Sequence, residues 1–144
     1  MITDLDVTKV EGTRKTKEQI TNMKFNINFD DVTVVQDSVK VAYTFVASYE
    51  GGNQASPENV GELKVSGTIT SKEDKKSAAE IQKVWQDKKT LPLSFAENII
   101  NVLNFECGTR GTFVAHAVGL IAPVPLTRAR LQESQAGTEA GASA

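Results

Sequence analysis

Leu91-Pro92-Leu93-Ser94-Phe95-Ala96-Glu97-Asn98-Ile99-Ile100-Asn101-Val102-Leu103 opens an apolar run at helical spacing. The run passes Gly108 and Gly111 and stops at Gly119-Leu120-Ile121-Ala122-Pro123-Val124-Pro125-Leu126. Almost everything before residue 71 reads instead as β-strand. Strands first and helices last point to an α+β fold, an antiparallel sheet with helices on one face, rather than to alternating βαβ units.

Within the run, Ser94-Phe95-Ala96-Glu97 has the spacing of a capping box and predicts a helix start near Ser94. Phe95, Ala96, Ile99, Ile100, Val102, Leu103 and Cys107 span more than half of the helix circumference, a width that predicts burial on more than one side and hence a second subunit. Gly108 and Gly111 each cost about 1 kcal/mol relative to Ala inside a helix and suggest a bend or a close crossing. The apolar pattern resumes at Phe113, Val114, Ala117 and Val118. Gly119 is a suitable C-terminal stop, and the prolines beyond it impose an extended chain. One helix earlier, Ser71 or Asp74 can cap a stretch in which Ala78, Ile81, Val84 and Trp85 recur at helical spacing. Trp85 completes the apolar stripe and so reads as a core anchor.

Upstream, Met23-Lys24-Phe25-Asn26-Ile27-Asn28-Phe29 alternates without error, which places Met23, Phe25, Ile27 and Phe29 on one sheet face. Asp30-Asp31 then reads as a turn that ends the strand before a short apolar run at Val32 to Val35, with Asp37-Ser38 as a further turn. Val39, Val41, Tyr43, Phe45, Ala47 and Tyr49 share one face of the next strand. Its other face carries Ala42 and Val46 among polar residues, so it is only half polar, as a partner-covered face would be. Glu50 to Asn59 is dense in turn formers and predicts a loose hairpin connection. Leu63 to Thr70 alternates again, with Gly67 marking a bulge or a close approach. Leu5 to Val10 alternates imperfectly and suits an edge strand. Thr13-Arg14-Lys15-Thr16-Lys17-Glu18 reads as a solvated turn or the polar continuation of that strand.

The chain has 144 residues, 40% of them hydrophobic, which suits one domain over residues 1–131. In residues 132–144 the only apolar side chain is alanine, and the segment is expected to be a disordered tail. Lys and Arg number 16 against 18 Asp and Glu, so the electrostatic footprint of a nucleic-acid binder is absent. Cys107 is the single cysteine, which leaves no intrachain disulfide and suits a reducing, cytoplasmic setting. No apolar run approaches the roughly 20 residues of a membrane span.

The order of strands and helices, the Trp-bearing helix followed by Leu91-Pro92, and above all the ending Gly119-Leu120-Ile121-Ala122-Pro123-Val124-Pro125-Leu126 resemble the SecB-like family of export chaperones. The likeness covers about residues 4–127 and is nearest to the divergent archaeal and toxin–antitoxin-associated branches. The resemblance implies a four-stranded antiparallel sheet with two helices, assembled as a homodimer or homotetramer. It also implies a cytoplasmic, ATP- and metal-independent chaperone that holds non-native polypeptides in apolar grooves. Phe25, Ala42, Tyr43, Phe45, Val46, Tyr49, Leu120, Ile121, Val124 and Leu126 are the candidate groove residues. The translocase-docking motif of the export chaperone has no counterpart in the tail.

Enzymatic chemistry finds little footing. Cys107 and His116 are nine residues apart on one helix, about 13 Å along its axis at 1.5 Å per residue, too far for proton transfer. They do not make a tetrahedral metal set either. Gly108-Thr109-Arg110-Gly111 lacks the spacing and the Lys-Ser/Thr end of a phosphate loop. Asp30-Asp31 reads as turn chemistry rather than an acid/base pair. A non-enzymatic holdase is therefore the first expectation. A dedicated partner-binding subunit, such as one protecting an antitoxin, and a small-ligand-binding protein are the alternatives. Both polypeptide-binding readings predict that Ala42→Asp or Val46→Asp weakens capture of an unfolded client while far-ultraviolet circular dichroism is unchanged. Loss of the spectrum would place these residues in the core.

Overall fold

The computed structural model describes residues 1–53 and 55–123. Val124, Leu126 and the tail at 132–144 lie outside the described residues. Four strands, β1 (Ile2–Arg14), β2 (Ile20–Val35), β3 (Ser38–Asn53) and β4 (Ser56–Lys72), precede two helices, α1 (Lys75–Lys88) and α2 (Leu93–Ala117). The sheet order is β1-β4-β3-β2 with every pair antiparallel. Three hairpin-linked strands thus have the first strand returned beside the last, as in a Greek key.

The alternation of apolar residues explains the strands once their bulges are counted. On β2 the core-facing positions are odd from Met23 to Phe29, then even at Val32 and Val34. The pairing absorbs this switch, since Phe29 faces Tyr43 and Asp31 faces Ala42, leaving Asp30 as the extra residue. Asp30-Asp31 is therefore a bulge inside one long strand and not its end, because one inserted residue restores the inward direction of those that follow. Thr44 Oγ1 donates to the Asp30 carboxylate at 2.7 Å. The imperfect alternation of β1 has the same origin, with register shifts between Ile2 and Asp4 and between Val7 and Lys9. These bulges lie on the two edge strands, and β4, inside the sheet, carries another at Val60.

The turn-rich segment at 50–59 is mostly strand. Pairing of β3 with β4 runs out to Asn53 and Ser56, so most of the expected loose connection belongs to the ladder. Turn-forming side chains there do not prevent a ladder whose backbone partners are already aligned. The β2–β3 turn lies at Gln36-Asp37, with Gln36 in the left-handed region at φ 58° and Val35 paired to Ser38.

Asp74 is the N-cap of α1, its carboxylate accepting the Ser77 N–H at 2.7 Å. That bond, with the neighbouring backbone donors, lowers the Asp74 pKa. Ser71 belongs instead to β4 and donates to Glu73 at 3.0 Å. Lys89 closes α1 in the left-handed conformation, its N–H bonded to the Trp85 carbonyl and its ammonium 5.5 Å from the Trp85 ring centroid. Trp85 is a core residue, with Ala78 and Ile81.

For α2 the capping box is not formed. The helix starts at Leu93 behind Pro92, whose carbonyl accepts from Ala96 N at 2.8 Å, and no side chain caps it. Leu91, buried in the core, and the fixed φ of Pro92 set the entry instead, so Ser94 already sits inside the first turn. The helix runs unbroken for 25 residues through Gly108 and Gly111. What approaches Gly111 is the sheet and not another helix, since a Cβ there would lie 2.6 Å from Leu63 Cδ2. The end is a Schellman motif: Gly119 N bonds to the His116 carbonyl and Leu120 N to the Ala115 carbonyl, with Gly119 at φ 75°.

Both helices cover one face of the sheet, α1 over β2 and α2 over β4, β1 and β3. One core results, from Phe25, Ile27, Val41, Tyr43, Phe45 and Leu63 of the sheet to Ile100, Leu103 and Cys107 of α2. Phe95, Ala96, Ile99, Ile100, Leu103 and Cys107 are all buried within the single chain. The breadth of the α2 stripe therefore does not by itself demand a second subunit, because a long twisted sheet covers a wide arc of the helix. Among the described residues no helix is long and apolar enough to cross a membrane.

Candidate functional site

One end of the sheet concentrates the unusual geometry. The Greek-key order forces the chain after Arg14 to cross the ends of β4 and β3 to reach β2. Residues 15–19 make that crossing, with Lys15 N and Thr16 N both bonded to the Val60 carbonyl. Three strand spacings amount to about 14 Å, within reach of five extended residues. Arg14 holds the crossing: its Nε donates to the Thr16 carbonyl at 2.5 Å and its Nη2 to the Glu18 carbonyl at 2.8 Å. Its remaining Nη1 reaches the Gly119 carbonyl at 2.5 Å, across 105 residues of sequence. A guanidinium beside the last carbonyls of α2 also suits the negative end of the helix dipole. In the sequence Arg14 reads as a solvated charge, and nothing local to it signals this role.

The segment after α2 lies on the same end. Leu120 is buried against the bare Cα of Gly61, where a Cβ would stand 2.9 Å from Leu120 Cδ2. Tyr49 Oη donates to the Ile121 carbonyl at 2.7 Å. Burial of Tyr49 pushes its phenol up to about 12, so it stays a donor across the physiological range.

Midway along the sheet, Gly67 leaves a gap through which Tyr43 on β3 spans β4 and donates to the Asp6 carbonyl of β1 at 3.1 Å. Cys107 lies beside this hydroxyl, and its thiol, fully buried, is pushed up to about 12, chiefly by burial. At pH 8 Cys107 is expected to react with a disulfide reagent only as the protein unfolds in urea, with labelling and circular dichroism sharing one midpoint. Rapid labelling without denaturant would mean that the core opens locally at α2.

The candidate groove residues therefore separate into groups. Phe25, Tyr43, Phe45, Tyr49 and Leu120 lie in the core beneath the helices, and the Phe25 and Phe45 rings meet at 5.9 Å. Ala42 and Val46 are half-buried on the opposite, open face. There Ala42 is flanked by Asp31 and Thr68, and Val46 by Asn26 and Lys64. Ion pairs Lys24–Glu50 and Lys64–Glu62 occur on this face, and the Asn26 side-chain oxygen is buried without a hydrogen-bond partner among the described residues. Ile121 is half exposed beside Leu120. The fold brings Tyr49, Leu120 and Ile121 together at one end of the sheet.

Two residues outside that set carry the largest uncovered apolar surface on the helices: Phe105 is 63% and Phe113 84% exposed. Phe113 does not continue the core pattern, because at 100° per residue it stands about 200° from both Gly111 and Ala115, which face the sheet. Val114 and Val118 do continue it, against Gly12 of β1. The same arithmetic from Cys107 places Phe105 outward, a signal readable from sequence once the inward residues are known.

A hollow of about 170 Å³ between the starts of α1 and α2 is lined by Glu73, Ser77, Pro92, Ser94 and Asn98 among others, below the usual size of a small-molecule site. A shallower depression of about 490 Å³ lies beside Glu11, Thr13, Glu62 and Lys64. No group of three or more His, Cys, Asp or Glu among the described residues is placed to hold a metal. No family model, curated protein or solved structure matches this chain.

Proposed function

We propose that this protein is an ATP-independent, SecB-like holdase of the cytoplasm, working as a homodimer or homotetramer that keeps non-native polypeptides soluble, in an export pathway or for a dedicated client. The observation that carries this reading is the outward apolar surface of α2: Phe105 and Phe113 stand exposed on a helix whose opposite side is fully occupied by the core. Two exposed phenylalanines on the outward side of one helix are surface that a subunit contact would cover. Subunits joining through it leave the strand-edge hydrogen-bonding groups of β1 and β2 and the end of the sheet at Arg14 and Tyr49 for an extended client, which such edges bind by main-chain hydrogen bonds with pockets for alternate side chains.

Light scattering on the purified protein, repeated with a chemically unfolded substrate, tests the proposal. A defined oligomer that keeps the substrate from aggregating is the expected result. A monomer that leaves aggregation unchanged would sink it.

A further inference from the structure

We infer that the end of the sheet formed by Tyr49, Gly61 and Arg14 is a binding site for an extended polypeptide segment bearing a branched aliphatic side chain, and that residues 119–123 are its resident, displaceable occupant. The inference deepens the holdase reading and rests on it for the identity of the partner.

The contacts have the form of peptide recognition. Arg14 donates to the carbonyl of Gly119, Tyr49 donates to the carbonyl of Ile121, and the side chain between them, Leu120, fills a hole floored by Gly61. Two backbone acceptors are thus bonded on either side of one buried aliphatic group, while Ile121 is half exposed. No side-chain polar atom of residues 119–123 is read, so any extended segment with a leucine-like residue satisfies the same donors and the same hole.

The end of α2 does not require these bonds. The Ala115 carbonyl accepts from Val118 N as well as from Leu120 N, and the His116 carbonyl accepts from Gly119 N, so both keep a partner when the chain beyond Gly119 moves. Beyond them the segment belongs to neither helix nor strand. Gly119, at φ 75°, is the joint about which it can swing, because glycine adopts this and neighbouring conformations at little cost. Displacement would uncover Tyr49 and Gly61 to a client and release Leu120. The resident segment then acts as an internal competitor, lowering apparent client affinity by the fraction of time that the site is closed.

The test uses the full chain and a fluorescein-labelled peptide with the sequence of residues 118–123, Val-Gly-Leu-Ile-Ala-Pro, read by fluorescence anisotropy. Leu120→Ala empties the hole without touching the donors. This variant is expected to bind the peptide at least about tenfold more tightly than the wild type, and a peptide with alanine in place of its leucine is expected to lose that gain. Tyr49→Phe, which removes one hydroxyl and no volume, serves if Leu120→Ala fails to fold. It is expected to speed hydrogen exchange in residues 119–122 relative to α2. Equal peptide affinity of folded Leu120→Ala and wild type, or unchanged exchange in Tyr49→Phe, overturns the assignment. Competition by an unfolded protein is scored separately: peptide binding without such competition leaves the site standing and removes the holdase reading.

Discussion

Gly67→Ala is expected to destabilise the protein by about 3 kcal/mol or more, a large part of the 5–15 kcal/mol that holds a domain of this kind together. A Cβ at residue 67 would lie 1.9 Å from the Asp6 carbonyl oxygen and 2.9 Å from the Tyr43 hydroxyl. Neither neighbour can yield cheaply. Asp6 is held in the β1–β4 ladder, and Tyr43 is buried with its hydroxyl bonded to that same carbonyl. Either the edge strand separates locally or the tyrosine loses a buried hydrogen bond, which alone leaves a penalty of about 1–3 kcal/mol. Gly12→Ala is the milder comparison, because its new methyl would meet the side-chain methyls of Val114 and Val118 at 2.9 and 3.2 Å and no backbone atom closer than 3.5 Å. Urea denaturation of the two variants decides the matter. A Gly67→Ala midpoint no lower than that of Gly12→Ala would show that Tyr43 has room to move and that the three-strand link is dispensable.

The double variant Phe105→Ser/Phe113→Ser is expected to keep its fold and lose its assembly. Both side chains point away from the core, so changes there fall within the roughly 0.5 kcal/mol typical of surface substitutions. Across a two-fold contact the pair counts twice, and at about 1.5 kcal/mol or more for each buried phenylalanine, the loss is about 6 kcal/mol, or four decades in dissociation constant. Analytical ultracentrifugation should find a monomer at concentrations where the wild type is assembled, and protection of an unfolded substrate should fall with it. An unchanged oligomer would place the subunit contact elsewhere, and a lost circular dichroism spectrum would show that these residues support the fold.

Much of the architecture was legible because it is written in local periodicity. The unbroken alternation from Val39 to Tyr49, the stripe of Ala78, Ile81 and Trp85, and the stop at Gly119 each follow from backbone geometry that needs no distant partner. The candidate site was legible only in its occupant. The Gly119-Leu120-Ile121 run stood out, but Arg14 looked like one charge in a polar turn, and Tyr49 like one more inward residue of β3. Their roles depend on hydrogen bonds to carbonyls 105 and 72 residues away, which leave no spacing to read.

The sequence by itself determined that this chain places its strands before its helices, which face of β3 turns inward, and where α2 ends, since each is set by residues within a few positions of one another. The tertiary structure alone decided the rest. It made Asp30-Asp31 a bulge rather than a break, because only the pairing of Phe29 with Tyr43 and Asp31 with Ala42 shows one residue to be extra. It returned β1 to the side of β4, and it left Phe105 and Phe113 in the open while burying the rest of a broad apolar helix. Hydrophobic burial is non-directional and depends on area, so which parts of an apolar stripe are covered is settled by the size, twist and order of the sheet beneath it.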